Sequence, residues 1–299
     1  MFRNVAELVS LAEQHQVKIA EIMIRQEVEV TGLTREEVMA KMDLNLTVME
    51  RAVERGLNGV KSRTGLTGGD AVLLQNYIKS GKSLTGTLLL DAVSKAVATN
   101  EVNAAMGIIC ATPTAGSAGV VPGTLFAVKN QLNPTRQEML EFLFTAAAFG
   151  FVVANNASIS GAAGGCQAEV GSASGMAAAA IVEMAGGTPK QSAEAMAITL
   201  KNMLGLVCDP VAGLVEVPCV KRNAMGASNA LTAADMALAG ITSRIPCDEV
   251  ISAMYAIGQS MPSALRETAE GGLAATPTGR RLEAEIFGQP KPKLKDYLV

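Results

Sequence analysis

Residues 134–154 read PTRQEMLEFLFTAAAFGFVVA, and the architecture turns on whether they form a strand, a membrane span or a core helix. Thr135 followed three residues later by Glu138 is a capping box, in which hydroxyl and carboxylate each satisfy a backbone N–H at a helix start. Pro134 marks the entry, and the apolar run Phe142–Ala154 carries the helix onward. That run is 13 residues long. About 20 are needed to cross a bilayer, so the expectation is a helix buried in a protein core.

The same signature recurs on either side. Thr34 with Glu37 precedes Val38, Met42, Leu46, Met49 and Val53, a helical spacing that runs to Gly56. Thr188 and Gln191, with Pro189 at the first helical position, open a helix expected to stop at Gly205. Thr278 is expected to begin a last amphipathic helix ending near Gly288. Alternating strand patterns are scarce, and Leu214–Val217 is the most tempting. The expected fold is mainly α: one compact helical domain over residues 1–288, followed by a Pro- and Lys-rich tail, 289–299, expected to be loosely ordered.

Composition narrows the function. Hydrophobic residues make up 49% and charged residues 18%, which excludes disorder over most of the length. Aromatics are 3% with no Trp, so the core is built of small aliphatics that let helices approach closely. A net charge of -3 and the lack of a basic stripe argue against nucleic acid as a partner. The start, MFRNVAELVSLAEQ, lacks the apolar run of a signal peptide. The expected location is cytoplasmic, where thiols stay reduced, so the five cysteines are not read as a disulfide framework.

Three stretches between helices are rich in Gly, Ser and Thr: SRTGLTGGD (62–70), CATPTAGSAGVVPG (110–123) and NNASISGAAGGCQAEVG (155–171). Such loops on a rigid frame suit a small anionic ligand, through short hydroxyls, amides and backbone N–H groups. Tight turns between packed helices are the plainer alternative.

The lone histidine, His15, lies on a charged N-terminal helix, so Cys–His and Ser–His nucleophile pairs lack a base. Any metal must be held mainly by thiolates. Cys110 follows an apolar run and Cys247 begins a helix; both read as small buried hydrophobes. Cys166, Cys208 and Cys219 each sit at a break between elements, where backbone N–H groups are free to point at sulfur. Three thiolates without a fourth would suit an iron–sulfur cluster with one open iron, a Lewis-acid arrangement. Pyridoxal phosphate on Lys95 or Lys201 is disfavoured, because both lie in helical stretches and no strand–helix alternation appears.

The segments SKAVATNEVNAAMG (94–107), 110–123, NNASISGAAGGCQAEVGSASG (155–175) and CDPVAGLVEVPCVKRNAMGASNA (208–230) resemble the alpha chain of bacterial iron–sulfur L-serine dehydratases, over nearly the whole chain. The resemblance implies a largely helical domain, a 4Fe-4S cluster on Cys166, Cys208 and Cys219, and conversion of L-serine to pyruvate and ammonia without pyridoxal. It also implies a beta-subunit partner, hence a hetero-oligomer, that completes the site and supplies the base. Some members carry a cysteine near the C-terminus; residues 293–299 here read KLKDYLV, so tail capping in that form is not expected. For the substrate we expect Thr64, Thr67, Thr112, Thr114, Ser117, Asn155, Asn156 and Ser158, short donors or acceptors beside glycines, with Lys201 as a carboxylate partner. The alternatives are an iron–sulfur carrier using Cys110 as fourth ligand, or a dehydratase acting on threonine or another β-hydroxy acid.

Overall fold

Each capping box read from the sequence opens a helix. Thr34, Thr135 and Thr188 all show both reciprocal bonds, at the starts of α3 (Arg35–Leu57), α7 (Arg136–Asn156) and α10 (Pro189–Lys201). The structure is a computed structural model that describes residues 1–288; the tail expected over 289–299 lies outside the described residues. The remaining helices are α1 (Val5–His15), α2 (Ile19–Thr31), α4 (Asp70–Lys79), α5 (Thr87–Ala104), α6 (Val120–Leu132), α8 (Gly161–Cys166), α9 (Ser172–Met184), α11 (Cys219–Leu238), α12 (Cys247–Ser260) and α13 (Pro277–Phe287). Among the described residues there is no strand beyond an isolated bridge between Cys208 and Arg266. The mainly-α expectation holds.

Helix α9 is the centre. Every residue from Ser172 to Glu183 is buried, and α6, α7, α10 and α11 pack around it. Its alanines and glycine keep its cylinder narrow, so four neighbours can approach it closely. A second hub, α5, packs against α3, α4, α6 and α11. Gly123 in α6 shows how close these approaches are: a Cβ there would lie 2.8 Å from the Ala96 Cβ. Helix α7 is long and apolar enough by composition to cross a bilayer, yet 67% of its most apolar window is buried inside the protein.

Helix starts are also capped across the fold by buried carboxylates. Glu183 accepts from the Ile19 and Ala20 N–H groups at the start of α2 (2.6 and 3.2 Å), and Glu101 does the same for Asp70 at the start of α4 (2.7 Å). These free N–H groups need partners, and a carboxylate at the positive end of a helix supplies them.

Several local expectations change. The last helix begins at Pro277, because Thr276, not Thr278, holds the extended backbone and accepts from Gly279 N (3.1 Å). Helix α10 stops at Lys201, and Gly205 lies in the turn beyond it. Leu214–Val217 is no strand: Val211 N donates to Val217 O (2.8 Å), folding the segment back on itself. Residues 155–171 are mostly helical, with Asn155 and Asn156 completing the last turn of α7.

Candidate metal centre

The 161–171 segment brings the first thiol into place. Ser160 caps α8 by accepting from Ala163 N (3.2 Å). The helix breaks at Gly165 (φ 75°, ψ 178°), a backbone that an L side chain rarely adopts. A single π-turn, Gln167–Gly171, follows. Such turns widen a helix locally and are frequent at functional sites. Buried Gln167 pins it: its backbone N–H reaches Leu206 O (3.0 Å), its side-chain amide reaches Met254 O (2.9 Å), and its amide oxygen accepts from Gly205 N (2.9 Å). Cys166 and the turn carrying Cys208 are thereby tied together.

Cys208 is held by its backbone, donating to Leu265 O (2.8 Å) and accepting from Glu267 N (2.7 Å). Its N–H is thus committed rather than free to face sulfur. The Cys166 and Cys208 sulfurs and a Glu169 carboxylate oxygen all lie within 4.8 Å of one another, and all three residues are buried. Cys219, buried at the first position of α11, stands outside that tight group. It lies near enough for the charges of Cys166 and Glu169 to act on it. Cys110 is half-buried in a loop, its sulfur 4.0 Å from Ala111 O, and Cys247 is buried at the start of α12.

A guanidinium stands beside this cluster. Arg222, one turn into α11, lies 3.4 Å from the Cys166 sulfur and donates to Val207 O and to Asp209 Oδ1, both at 2.7 Å. Asp209 in turn accepts from Leu273 N (2.7 Å). Cys166 is the thiol held low: it accepts from the Cys208 thiol, and the guanidinium stands beside it, together outweighing burial. Cys208 is pushed up as the donor of that pair and by burial, and Cys219 is pushed up mainly by burial. Burial likewise raises Glu169, with the Glu267 charge adding to it. Gly161 packs closely against the centre: a Cβ there would sit 2.8 Å from Cys208 Sγ, 3.2 Å from Glu267 Oε2 and 3.3 Å from Glu169 Oε2.

The polar residues expected to meet substrate divide into groups. Thr114 donates to the Glu169 carboxylate, and Ser117 donates to Thr112 O (3.0 Å), so the 110–119 loop reaches the centre. The Thr112 hydroxyl is buried and makes no hydrogen bond. Ser158 accepts from Ser160 N (3.2 Å) and faces Gly164. Thr64 and Thr67 donate to Glu216 (2.8 and 2.9 Å), which locks the 62–70 loop onto the segment leading to Cys219. Asn155 and Asn156 are not brought in. Both are exposed, donating to Phe151 O (2.8 Å) and to Arg3 O and Val152 O (2.7 and 2.9 Å). The Lys201 ammonium is spent on Ser243 O (2.6 Å), and Lys95 on Asp91 and Phe126 O (2.5 and 2.6 Å).

Sequence reading passed over Glu169, Arg222, Asp209 and Glu267. Glu169 follows Cys166 by three positions, and Arg222 follows Cys219 by three, a spacing that shares one helix face. Nothing local pointed to Glu267.

A family model described as serine dehydratase alpha chain matches residues 14–274. A Bacillus subtilis protein named probable L-serine dehydratase, alpha chain, is 80% identical over 288 residues, 96% of each chain. The L-serine dehydratase alpha chain of Peptoniphilus asaccharolyticus is 43% identical over 96% of this chain and 99% of its own. The L-serine dehydratase of Helicobacter pylori is 37% identical over 92% of this chain but only 62% of its own, longer sequence.

Proposed function

The chain belongs to the serine dehydratase alpha-chain family, and we propose that it is the cluster-bearing subunit of an enzyme converting L-serine to pyruvate and ammonia. The observation that carries the reading is the buried convergence of Cys166, Cys208 and Glu169 within 4.8 Å, flanked by Arg222. The residues fit an iron–sulfur group on two counts. Thiolates are the donors such clusters take, and the glycine at 161 brings bare backbone against Cys208, Glu169 and Glu267, where a methyl group would press on the Cys208 sulfur. Cys166, Cys208 and Cys219 would hold a 4Fe-4S cluster. When bound, that cluster would supply the Lewis acidity that makes the serine hydroxyl a competent leaving group.

The chain's own residues do the rest of the holding. Arg222 offsets the thiolate charge at Cys166 and fixes its orientation through Asp209 and Val207. The Thr112 hydroxyl, buried and unpartnered, is a donor for the substrate carboxylate, and Ser158 is a further hydroxyl candidate. Thr114 orients Glu169 rather than binding substrate. Loss of the Cα proton and of hydroxide leaves an aminoacrylate, which tautomerises and hydrolyses to pyruvate and ammonia.

The base that takes the Cα proton is assigned to a beta partner. Relatives of this chain's length are named alpha chains, and the longer relative carries additional sequence in one polypeptide. The test is anaerobic reconstitution with iron and sulfide, followed by pyruvate release from L-serine before and after exposure to air. Activity that needs pyridoxal and survives air and chelation refutes the cluster reading. Full activity of the reconstituted chain with no second polypeptide refutes the partner-supplied base.

A further inference from the structure

The geometry points to a second metal state of the same pocket: in the cluster-free chain, Cys166, Cys208 and Glu169 form a site for one divalent ion of the Zn2+/Fe2+ class, and Cys219 takes no part in it. The two metal states share Cys166 and Cys208, so they exclude each other. The single-ion site follows from the donors themselves and stands apart from the dehydratase reading.

The donor spacing is the first support. A tetrahedral ion with sulfur at about 2.3 Å and oxygen at about 2.0–2.2 Å needs donors roughly 3.5–3.8 Å apart. The three ligand atoms lie within 4.8 Å of one another, so a small closing movement completes the set. Cys219 is not in that group. Mixed thiolate and carboxylate donors suit zinc or ferrous iron, whereas magnesium and calcium take oxygen sets.

The second support is orientation from behind each ligand. Cys166 immediately precedes, and Glu169 lies within, the π-turn that Gln167 pins to Met254 and Gly205. Cys208 is gripped by two backbone bonds to the 265–267 segment. Thr114 donates to Glu169 Oε1, while Oε2 turns to the point beside Gly161 that Cys208 Sγ also approaches. Outer contacts of this kind are what hold a ligand set ready for an ion. Glu267 Oε2 approaches the same point beside Gly161.

Charge is the third. The acidic groups of Cys166, Cys208, Glu169 and Glu267 converge beside Arg222, which is already paired with Asp209. A divalent cation takes the place of the protons these groups otherwise hold and offsets the charge they then carry.

The experiment uses the full-length chain, stripped anaerobically of iron and sulfide and titrated with Co2+ as the probe. The expected result is one Co2+ per chain, with thiolate-to-metal charge-transfer intensity of two sulfurs, displaced by Zn2+. Cys219→Ser should bind like the unaltered chain, Cys208→Ser should lose binding, and Glu169→Gln should weaken it by about tenfold or more. Three-sulfur intensity, no binding at all, loss of binding in Cys219→Ser, or unchanged binding in Glu169→Gln each overturns the proposal. The sulfur count on the unaltered chain decides the matter even if Glu169→Gln fails to fold. The same Cys219→Ser chain, mixed with iron and sulfide, separates the two readings. Cluster absorption there sinks the three-cysteine cluster and leaves the single-ion site standing. Loss of Co2+ binding there, with the cluster absent too, sinks the single-ion site alone.

Discussion

Replacing Arg222 by Met removes the cation beside Cys166 at the candidate centre, and its cost can be worked from the contacts. The pair with Asp209 is well shielded, with side-chain exposures of 13% and 5%. Without the guanidinium, Asp209 keeps only the Leu273 N–H, and the Val207 carbonyl loses its donor. Breaking a buried pair from one side costs about 3–5 kcal/mol, because the remaining charge stays buried. Arg222→Lys keeps the charge and one contact but cannot span Asp209, Val207 and Cys166 together. Its expected cost is about 1–2 kcal/mol, the worth of the hydrogen bonds it forgoes. Urea unfolding of the cluster-free chain, followed by circular dichroism at constant slope, reads both numbers. After reconstitution, the Met variant should also lose iron faster than the Lys variant. A Met variant within about 1 kcal/mol of the parent would refute the argument, as would a Lys variant equally damaged, since that outcome would make shape rather than charge the cause.

Gly161→Ala should fold normally but fail to develop cluster absorption on reconstitution, because the new methyl lies 2.8 Å from Cys208 Sγ; full iron loading with an unchanged spectrum would contradict the site. Cys110→Ser should keep its iron and its pyruvate release, since that sulfur lies apart from the buried group; loss of the cluster would restore the four-ligand carrier. Burial holds the Glu183 carboxyl above its ordinary value of 4.5. A raised folded-state value means the stabilising contribution is present below the unfolded value and is lost as pH rises through the folded one. The loss amounts to about 1.4 kcal/mol for each pH unit that separates the two values. Glu183→Gln should therefore gain on the parent as pH rises from 4.5, in paired denaturation series. Parallel profiles would show that the α2 cap, not the titration, dominates.

Legibility in the sequence followed the range of the interaction. The capping boxes at Thr34, Thr135 and Thr188 act over three residues, and all three were readable. Thr278 was expected to open the last helix, whereas Thr276 does so, because in Thr-Pro-Thr only backbone geometry decides which residue is extended. Asn155 and Asn156 resembled loop residues, yet the last turn of α7 absorbs them and spends their amides on helix carbonyls. Thr64 and Thr67 resembled ligand donors, but their partner, Glu216, lies 152 and 149 positions away.

Local sequence was enough to set the helical frame, the small-residue core and the unusual placing of Cys166, Cys208 and Cys219, because capping, periodicity and glycine-bounded breaks act between near neighbours. Which groups stand with the sulfurs was decided by packing across the fold. Glu169 was one turn away and readable in principle. Arg222 and Glu267 meet Cys166 and Cys208 because α11 and the 261–276 segment fold against the 207–209 turn. Electrostatic neighbours of that kind depend on distances through space, which spacing along the chain does not encode.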